Sequence, residues 1–286
     1  TIDSNYGVYV GWGAGASGDI ANDGTIAIGY KSLYSLTSGS KNTAVGYNSL
    51  TALTTGSNNI AIGYEAMDAS DGTETDNIAI GYGAMGAFDE NGNGGDDNIA
   101  IGRDALKGGA MTDNTRYNVA IGNYALDATG TNHPEYNVAI GHNALSSSTS
   151  GENNTAVGYG AGDVITTGSQ NILIGRTTDP SSNSGNNQVV IGYNATGIAD
   201  DSVTLGNTAT TKVYVAPHAS DGGATQQLVF RDNADKGIIN YDHNNGMFRI
   251  TVEGTEHTQF GSDGDLRLLN GGINFPDDAS SSASSD

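Results

Sequence analysis

The chain has 286 residues, 43 of them glycine, and a formal charge of −21 from 32 acidic and 11 basic residues. This acidity argues against binding nucleic acid through phosphate neutralisation, and the absence of cysteine excludes disulfides and thiolate metal sites. The sequence has no apolar run of the roughly 18 residues that a membrane span requires, so no membrane insertion is expected.

A short apolar run that ends in glycine recurs along the first two thirds of the chain. The intervals between successive glycines are 14 to 21 residues, and a nearly constant period of this kind is typical of a solenoid. The twelve glycines are Gly11, Gly29, Gly46, Gly63, Gly81, Gly102, Gly122, Gly141, Gly158, Gly175, Gly192 and Gly206.

The three residues before each glycine predict a strand. They read Ile-Ala-Ile, Val-Ala-Ile or Thr-Ala-Val in eight of the twelve units, and such β-branched alternation is typical of strands. Neighbouring residues of a strand point to opposite faces, so Ile60 and Ile62 share one face and Ala61 takes the other. We expect a second strand after the glycine, as in Tyr47 to Leu50 or Tyr64 to Met67.

Stacking these units predicts an all-β fold, a parallel β-roll solenoid of about twelve coils. At about 4.8 Å per coil it would extend on the order of 57 Å. The large residues Ile60, Ile62, Leu50 and Met67 are expected to form its thin interior.

Two further residue types recur in register with the glycines. Asparagine stands four residues before the glycine in eight units, where stacked amides can form a hydrogen-bonded ladder. Tyrosine follows the glycine in six units, where stacked rings can reinforce the array. The asparagines are Asn42, Asn59, Asn77, Asn98, Asn118, Asn137, Asn154 and Asn171, and the tyrosines are Tyr30, Tyr47, Tyr64, Tyr82, Tyr159 and Tyr193.

The small residue at the centre of the strand is open to two interpretations. A face that carries only methyl groups suits the close approach of another chain, which predicts a homotrimer packed through this row; a narrow interior is the alternative. The row comprises Ala27, Ala44, Ala61, Ala79, Ala100, Ala120, Ala139 and Ala156, and at the ends it is replaced by Tyr9, Leu173, Val190 and Thr204. A partner surface that widens at the ends would fit these larger residues.

The phrase Asn-x-[Ala/Val]-[Ile/Val]-Gly resembles the repeat of trimeric autotransporter adhesin heads of the YadA type. The resemblance covers about residues 5–210 and implies a left-handed parallel β-roll with three chains side by side. The sequence Asn-Thr-Ala-Val-Gly-Tyr-Asn-Ser-Leu at residues 42–50 resembles the repeats of phage tail fibres still more closely. The coils here, at 17 to 21 residues, are longer than those of the adhesin heads.

The repeat ends after Gly206, and the remaining chain predicts a small β-structure. We divide the chain into a β-roll domain (1–210), a neck (211–225), a trimeric β-shaft or knob (226–276) and a flexible Ser-rich tail (277–286). A strand is expected over 210–217, and others over 227–230, 237–241, 247–253 and 266–269, separated by turn residues such as Asn245-Gly246. The segment 237–257 is similar to those that precede the chaperone domain of endosialidase-type tailspikes, which makes Ser285-Asp286 a candidate chaperone junction.

No catalytic motif is visible, and we predict that the protein is not an enzyme. The five histidines lack metal-ligand spacing, and no nucleophile elbow of the Gly-x-Ser-x-Gly type occurs. The acidic stretch 88–97 is a candidate Ca²⁺ loop through Asp89, Asp96 and Asp97, with a solvated loop as the alternative. No other cofactor is expected.

The extra residues of the long coils fall at 86–97, 107–117 and 127–136. Equivalent insertions in a solenoid emerge on one face, and they carry aromatic side chains among polar ones, a composition that suits a sugar or protein receptor. The candidate receptor-binding residues are Phe88, Tyr117, His133 and Tyr136.

These features together predict a non-enzymatic, trimeric fibre that attaches to a host cell surface. A phage tail fibre, or the fibre of a related injection machine, is the leading interpretation, with a host surface glycan or protein and other virion tail proteins as partners. The expected location is the virion or an extracellular surface. A bacterial trimeric autotransporter-type adhesin and a polysaccharide-cleaving tailspike are the alternatives.

Overall fold

The protein folds into two compact units, Thr1–Thr211 and Lys212–Asp286. Every helix or strand among the described residues is a β-strand, so the predicted all-β class is confirmed. The computed structural model describes the backbone of five strands between residues 225 and 268, and it describes in full residues 6–16, 24–70, 72–87, 95–108, 115–128 and 134–210.

Twelve short strands of the first unit form one parallel sheet, in which each strand pairs with the next one along the chain. Every repeat unit therefore adds one rung, and the predicted parallel β-solenoid is confirmed. The strands are β1 (Val8–Val10), β2 (Ile26–Ile28), β3 (Thr43–Val45), β4 (Ile60–Ile62), β5 (Ile78–Ile80), β6 (Ile99–Ile101), β7 (Val119–Ile121), β8 (Val138–Ile140), β9 (Thr155–Val157), β10 (Ile172–Ile174), β11 (Gln188–Ile191) and β12 (Ser202–Leu205).

Equivalent residues of successive rungs pair directly with one another. Ala61 of β4 pairs with Ala44 of β3 and with Ala79 of β5. Beside it, the N–H of Ile60 donates to the carbonyl of Asn77 at 2.8 Å. Each position of the repeat therefore becomes a column that runs along the solenoid axis.

The glycine after each strand is required by this stacking. Gly63 has φ of +145°, which side chains disfavour, and a Cβ there would collide with the carbonyl oxygen of Gly81 on the next rung. The same close approach recurs between Gly46 and Gly63. No side chain larger than hydrogen fits this column, which explains why glycine follows the strand in every repeat of the chain.

The orientation predicted for the strands is wrong. The predicted trimer-interface alanines, here the alanine column, are fully buried inside the single chain and cannot contact a partner. Ile62 points outward with 38% of its surface exposed, and Ile60 is only partly buried. The alanine column comprises Ala27, Ala44, Ala61, Ala79, Ala100, Ala120, Ala139 and Ala156.

The reason lies in the opposite wall of each rung. There a leucine column is fully buried, so the prediction that Leu50 and Met67 lie inside is confirmed. Since the large side chains of this wall, joined in two rungs by the fully buried Leu36 and Leu53, already fill the interior, the strand has room to contribute only a methyl group. The leucine column comprises Leu33, Leu50, Met67, Met85, Leu106, Leu126 and Leu145.

The segments predicted as a second strand, Tyr47 to Leu50 and Tyr64 to Met67, form turns instead. Asn48 and Leu50 have φ of 54° and 51°, in the left-handed region that a strand does not use. The N–H of Asn48 donates backward to Tyr30 O at 2.9 Å, whereas that of Leu50 donates forward to Ala66 O at 3.0 Å. The left-handed conformation of a leucine reduces the stability of the fold by roughly 1–2 kcal/mol. The complete burial of its side chain offsets this loss.

Large and small residues exchange sides near the C-terminal end of the solenoid. The leucine column stops at Gly162, and the alanine column gives way to Leu173 on the following rung. A Cβ on Gly162 would lie 2.7 Å from Cδ1 of Leu173, so the two residues share one space. Leu173 and Val190 are fully buried. They therefore fill the interior, and the prediction that they meet a widening partner surface is wrong.

Adjacent residues of β10 test this orientation. We expect Leu173→Ala to lower the free energy of unfolding by about 3 kcal/mol, because it opens a cavity in the interior. Ile174→Ala removes a similar side chain from the outer side, where 40% is exposed, and should cost less than half as much. Thermal unfolding of both variants measures the difference; equal losses would contradict the assignment of faces.

A buried asparagine column runs beside the strands and confirms the predicted amide ladder. In one step of it, the backbone N–H and Nδ2 of Asn59 both donate to Oδ1 of Asn42, at 2.9 and 3.1 Å, and Nδ2 also donates to the carbonyl of Glu74 at 2.7 Å. Gln188 takes the place of asparagine at the last step. The column comprises Asn42, Asn59, Asn77, Asn98, Asn118, Asn137, Asn154 and Asn171, all fully buried.

Removing one amide from this column should be costly. Asn118→Ala leaves the N–H of Asn137 and the carbonyl of Pro134 without their present partners, so we expect a loss of about 3 kcal/mol. Asn123→Ala is the control, because its Oδ1 accepts one exposed hydrogen bond from the N–H of Arg103 and should contribute less than about 1 kcal/mol. Denaturant unfolding compares them, and similar midpoints would argue against the ladder's importance.

The second unit contains an antiparallel sheet of five strands in chain order. Four strands agree with the predicted ones, and β16 was not foreseen because its run Thr-Glu-His-Thr-Gln carries little apolar alternation. The strand expected over 210–217 lies almost wholly outside the described residues. The strands are β13 (Thr225–Asp232), β14 (Asp235–Asp242), β15 (Met247–Val252), β16 (Thr255–Phe260) and β17 (Leu266–Leu268).

Candidate interaction surface

The exposed side of the sheet carries an apolar strip, here called the outer face, made of the first and third residues of β1 to β10 and of the second and fourth residues of β11 and β12. Ile28, Ile62 and Ile174 are 38–40% exposed, although isoleucine is normally buried. Because the strands pair in register, these side chains form two continuous columns along the sheet. A contiguous apolar patch of this extent is typical of an interaction surface.

A tyrosine column stands next to the outer face, at the residue that follows each glycine. Trp12, Tyr30, Tyr47, Tyr64 and Tyr82 stack with ring centroids 4.9–5.1 Å apart and planes within 15° of parallel. The predicted stacking of the tyrosines is confirmed for these rungs. Trp12 was overlooked, although its place directly after Gly11 could have identified it.

Cations continue the tyrosine column where the aromatic residue is missing. The guanidinium of Arg103 lies 5.2 Å from the ring centroid of Tyr82. That of Arg176 lies 5.6 Å from the rings of both Tyr159 and Tyr193. Through these cation–π contacts, the stacking continues across the rungs in which arginine replaces tyrosine. Sequence reasoning missed them because it searched the position for tyrosine alone.

Two of the four predicted receptor residues are brought together. Tyr117 and Tyr136 stack with centroids 5.0 Å apart and planes 14° from parallel, and about half of each side chain is exposed. Each ring covers one face of the other, so a ligand meets their edges and hydroxyls more readily than a pair of open faces. Phe88 and His133 lie outside the described residues.

The predicted Ca²⁺ ligands are only partly described. Oδ1 of Asp96 accepts hydrogen bonds from the N–H and Oγ1 of Thr75, at 2.8 and 3.1 Å, and so ties its turn to the preceding rung. Asp97 lies beside it with φ of 60°, and Asp89 is outside the described residues. Within the described part of the chain, no group of three or more histidine or carboxylate side chains is arranged to hold a metal ion.

A small acidic cavity of about 160 Å³ opens beside the tyrosine column, between Glu65, Asp68, Asp104 and Lys107. Lys107 Nζ lies 3.0 Å from Oδ1 of Asp104. Burial, followed by the charge of Glu65, raises the pKa of Asp68 to about 6. Protonation of Asp68 as the pH falls through about 6 therefore relieves its repulsion with Glu65.

A second carboxylate pair lies near the end of the solenoid. Burial raises the pKa of Asp179 from 3.8 to about 6, and the charge of Asp163 adds to the effect. The folded chain therefore holds this proton more tightly than the unfolded chain does. This carboxyl contributes stability that is complete below its ordinary pKa and is lost as the pH rises through about 6.

Replacing this carboxyl should remove its share of the pH dependence, to which Asp68 also contributes. We expect Asp179→Asn to raise the melting temperature near pH 7 and to flatten its fall between about pH 4 and pH 7. Asp76→Asn, at an exposed position with φ of 59° that asparagine also adopts, is the control and should leave the profile unchanged. A wild-type profile that is flat over this range would contradict the assignment.

No helix among the described residues is long and apolar enough to span a membrane. Comparison with known proteins gives no matching family model, no matching curated protein and no matching solved structure.

Proposed function

We propose that the protein is a non-enzymatic, homotrimeric fibre segment that attaches to a host cell surface, as in phage tail fibres or related injection-machine fibres. The supporting observation is the outer face. A single chain closes its own interior with the alanine and leucine columns, yet leaves a β-branched apolar strip on the outside of the sheet.

The outer face has the extent of a self-association surface. Twelve strands at about 4.8 Å each give a strip on the order of 57 Å long, which at about 10 Å wide offers roughly 570 Å² per chain. The strip is continuous, because equivalent residues stack in register. Copies of the chain would bury it by lying parallel to one another, three around a common axis, as the resemblance to trimeric adhesin heads implies.

The mass of the native protein tests the trimer. We expect three times the chain mass of 29.1 kDa for the wild type and a monomer for Ile62→Lys combined with Ile140→Lys, because charges on this face cannot be desolvated cheaply. Thr37→Lys combined with Thr55→Lys, at exposed positions away from the sheet, is the matched control and should stay trimeric. A wild-type protein that is monomeric at micromolar concentration would overturn the proposal.

We assign attachment to the three long coils with their insertions at 86–97, 107–117 and 127–136, here called the belt, because Tyr117 and Tyr136 are exposed there. We expect fluorescently labelled protein to bind a panel of immobilised bacterial surface polysaccharides, and Tyr117→Ala with Tyr136→Ala to weaken binding on the order of tenfold or more through the lost aromatic contacts.

Tyr34→Ala, which removes an exposed tyrosine outside the belt, is the control. If the belt variant and the wild type bound the polysaccharides equally well, the receptor site would lie outside the belt. Shortened polysaccharide chains after incubation would favour a tailspike enzyme instead.

A further inference from the structure

The tyrosine column contains one pair of rings that differs electrostatically from its neighbours. Lys31 Nζ lies 5.8 Å from the ring centroid of Trp12 and 5.6 Å from that of Tyr30, while Arg103 lies over Tyr82. Among the described residues, no cation is placed over the rings of the two central members, Tyr47 and Tyr64. A cation over a ring opposes removal of an electron from it, so these two rings are the easiest of the column to oxidise.

The same pair has a built-in proton acceptor. The carboxylate of Glu65 accepts a hydrogen bond from the hydroxyl of Tyr64, and this contact raises the pKa of the phenol. A phenol loses its proton when it loses an electron, and a carboxylate already in hydrogen-bond contact can take that proton in place. Tyr64 is therefore the preferred site for the first radical.

The two rings are also placed to react with each other. Their centroids lie 5.1 Å apart with planes 6° from parallel, and the side chains are 44% and 43% exposed. Both side chains are exposed and can rotate about their side-chain bonds, and such a rotation is what coupling requires to bring together the carbons next to the two oxygens. The register of the sheet keeps the partners together.

We propose that Tyr47 and Tyr64 form an oxidative cross-linking site, at which a haem-peroxidase-type oxidant joins two neighbouring rungs through a dityrosine bond. The chain has no cysteine, so disulfides cannot link its rungs, and this bond would be a covalent alternative. The site is independent of the function proposed above.

The chemistry balances with hydrogen peroxide as the terminal oxidant. Each phenol gives one electron to the peroxidase and one proton, from Tyr64 to Glu65 and from Tyr47 to water. The two phenoxyl radicals couple at ring carbons adjacent to the oxygens and form one carbon–carbon bond. The displaced ring hydrogens move to the oxygens and restore both phenols, while peroxide takes up two electrons and two protons and becomes two waters.

The test treats the intact protein with a plant haem peroxidase and limiting hydrogen peroxide, and follows dityrosine fluorescence. Tandem mass spectrometry of proteolytic fragments then locates the bond. We expect one main product within a single chain, joining Tyr47 to Tyr64 with the loss of two hydrogen atoms. Tyr47→Phe and Tyr64→Phe keep the stacked rings and should remove most of this product.

Two further variants separate a specific site from general tyrosine oxidation. Glu65→Gln should slow formation of the product about tenfold or more, because the amide cannot take the proton. Tyr193→Phe, beside Arg176, should leave the yield unchanged. Products that lie mainly between chains, at Tyr117 and Tyr136, or spread over many tyrosines would each overturn the proposal, and so would a Glu65→Gln variant that reacts as fast as the wild type.

Discussion

The buried asparagine column is the interaction on which the solenoid depends. Each of its amides holds the backbone N–H of the next rung and a turn carbonyl, so it fixes both where a strand begins and how far apart the rungs lie. Once that register is set, every residue stacks on the equivalent residue of the next rung. The close approach of glycines, the stacked rings and the continuous outer face all follow from this constraint.

Much of the fold could be predicted from the sequence, but the direction in which the strands face could not. Alternation shows that Ile60 and Ile62 share a face opposite Ala61, without saying which face is inside. That choice is made by Leu50 and Met67, which enter the interior in a left-handed conformation that leucine and methionine rarely adopt. The candidate site was predicted less well, because Arg103 and Arg176 contribute to the tyrosine column only through contacts between rungs.

The inverted arrangement changes how the surface is interpreted. With methyl groups inside, one chain buries its interior without a partner. The alanine column is accordingly fully buried in the single chain. The larger β-branched residues are then left partly exposed on the outside, and the phenol rings beside them are stacked about 5 Å apart. The outer face and the tyrosine column thus share one side of the solenoid.

Hydrogen exchange of the backbone amides in the wild-type protein tests this account most directly. The N–H groups of Asn59, Asn98 and Asn137 donate to buried side-chain oxygens of the preceding rung, and we expect them to exchange as slowly as the N–H groups within the strands. If these amides exchanged as fast as those of exposed turns, the asparagine column could not be what sets the register of the solenoid.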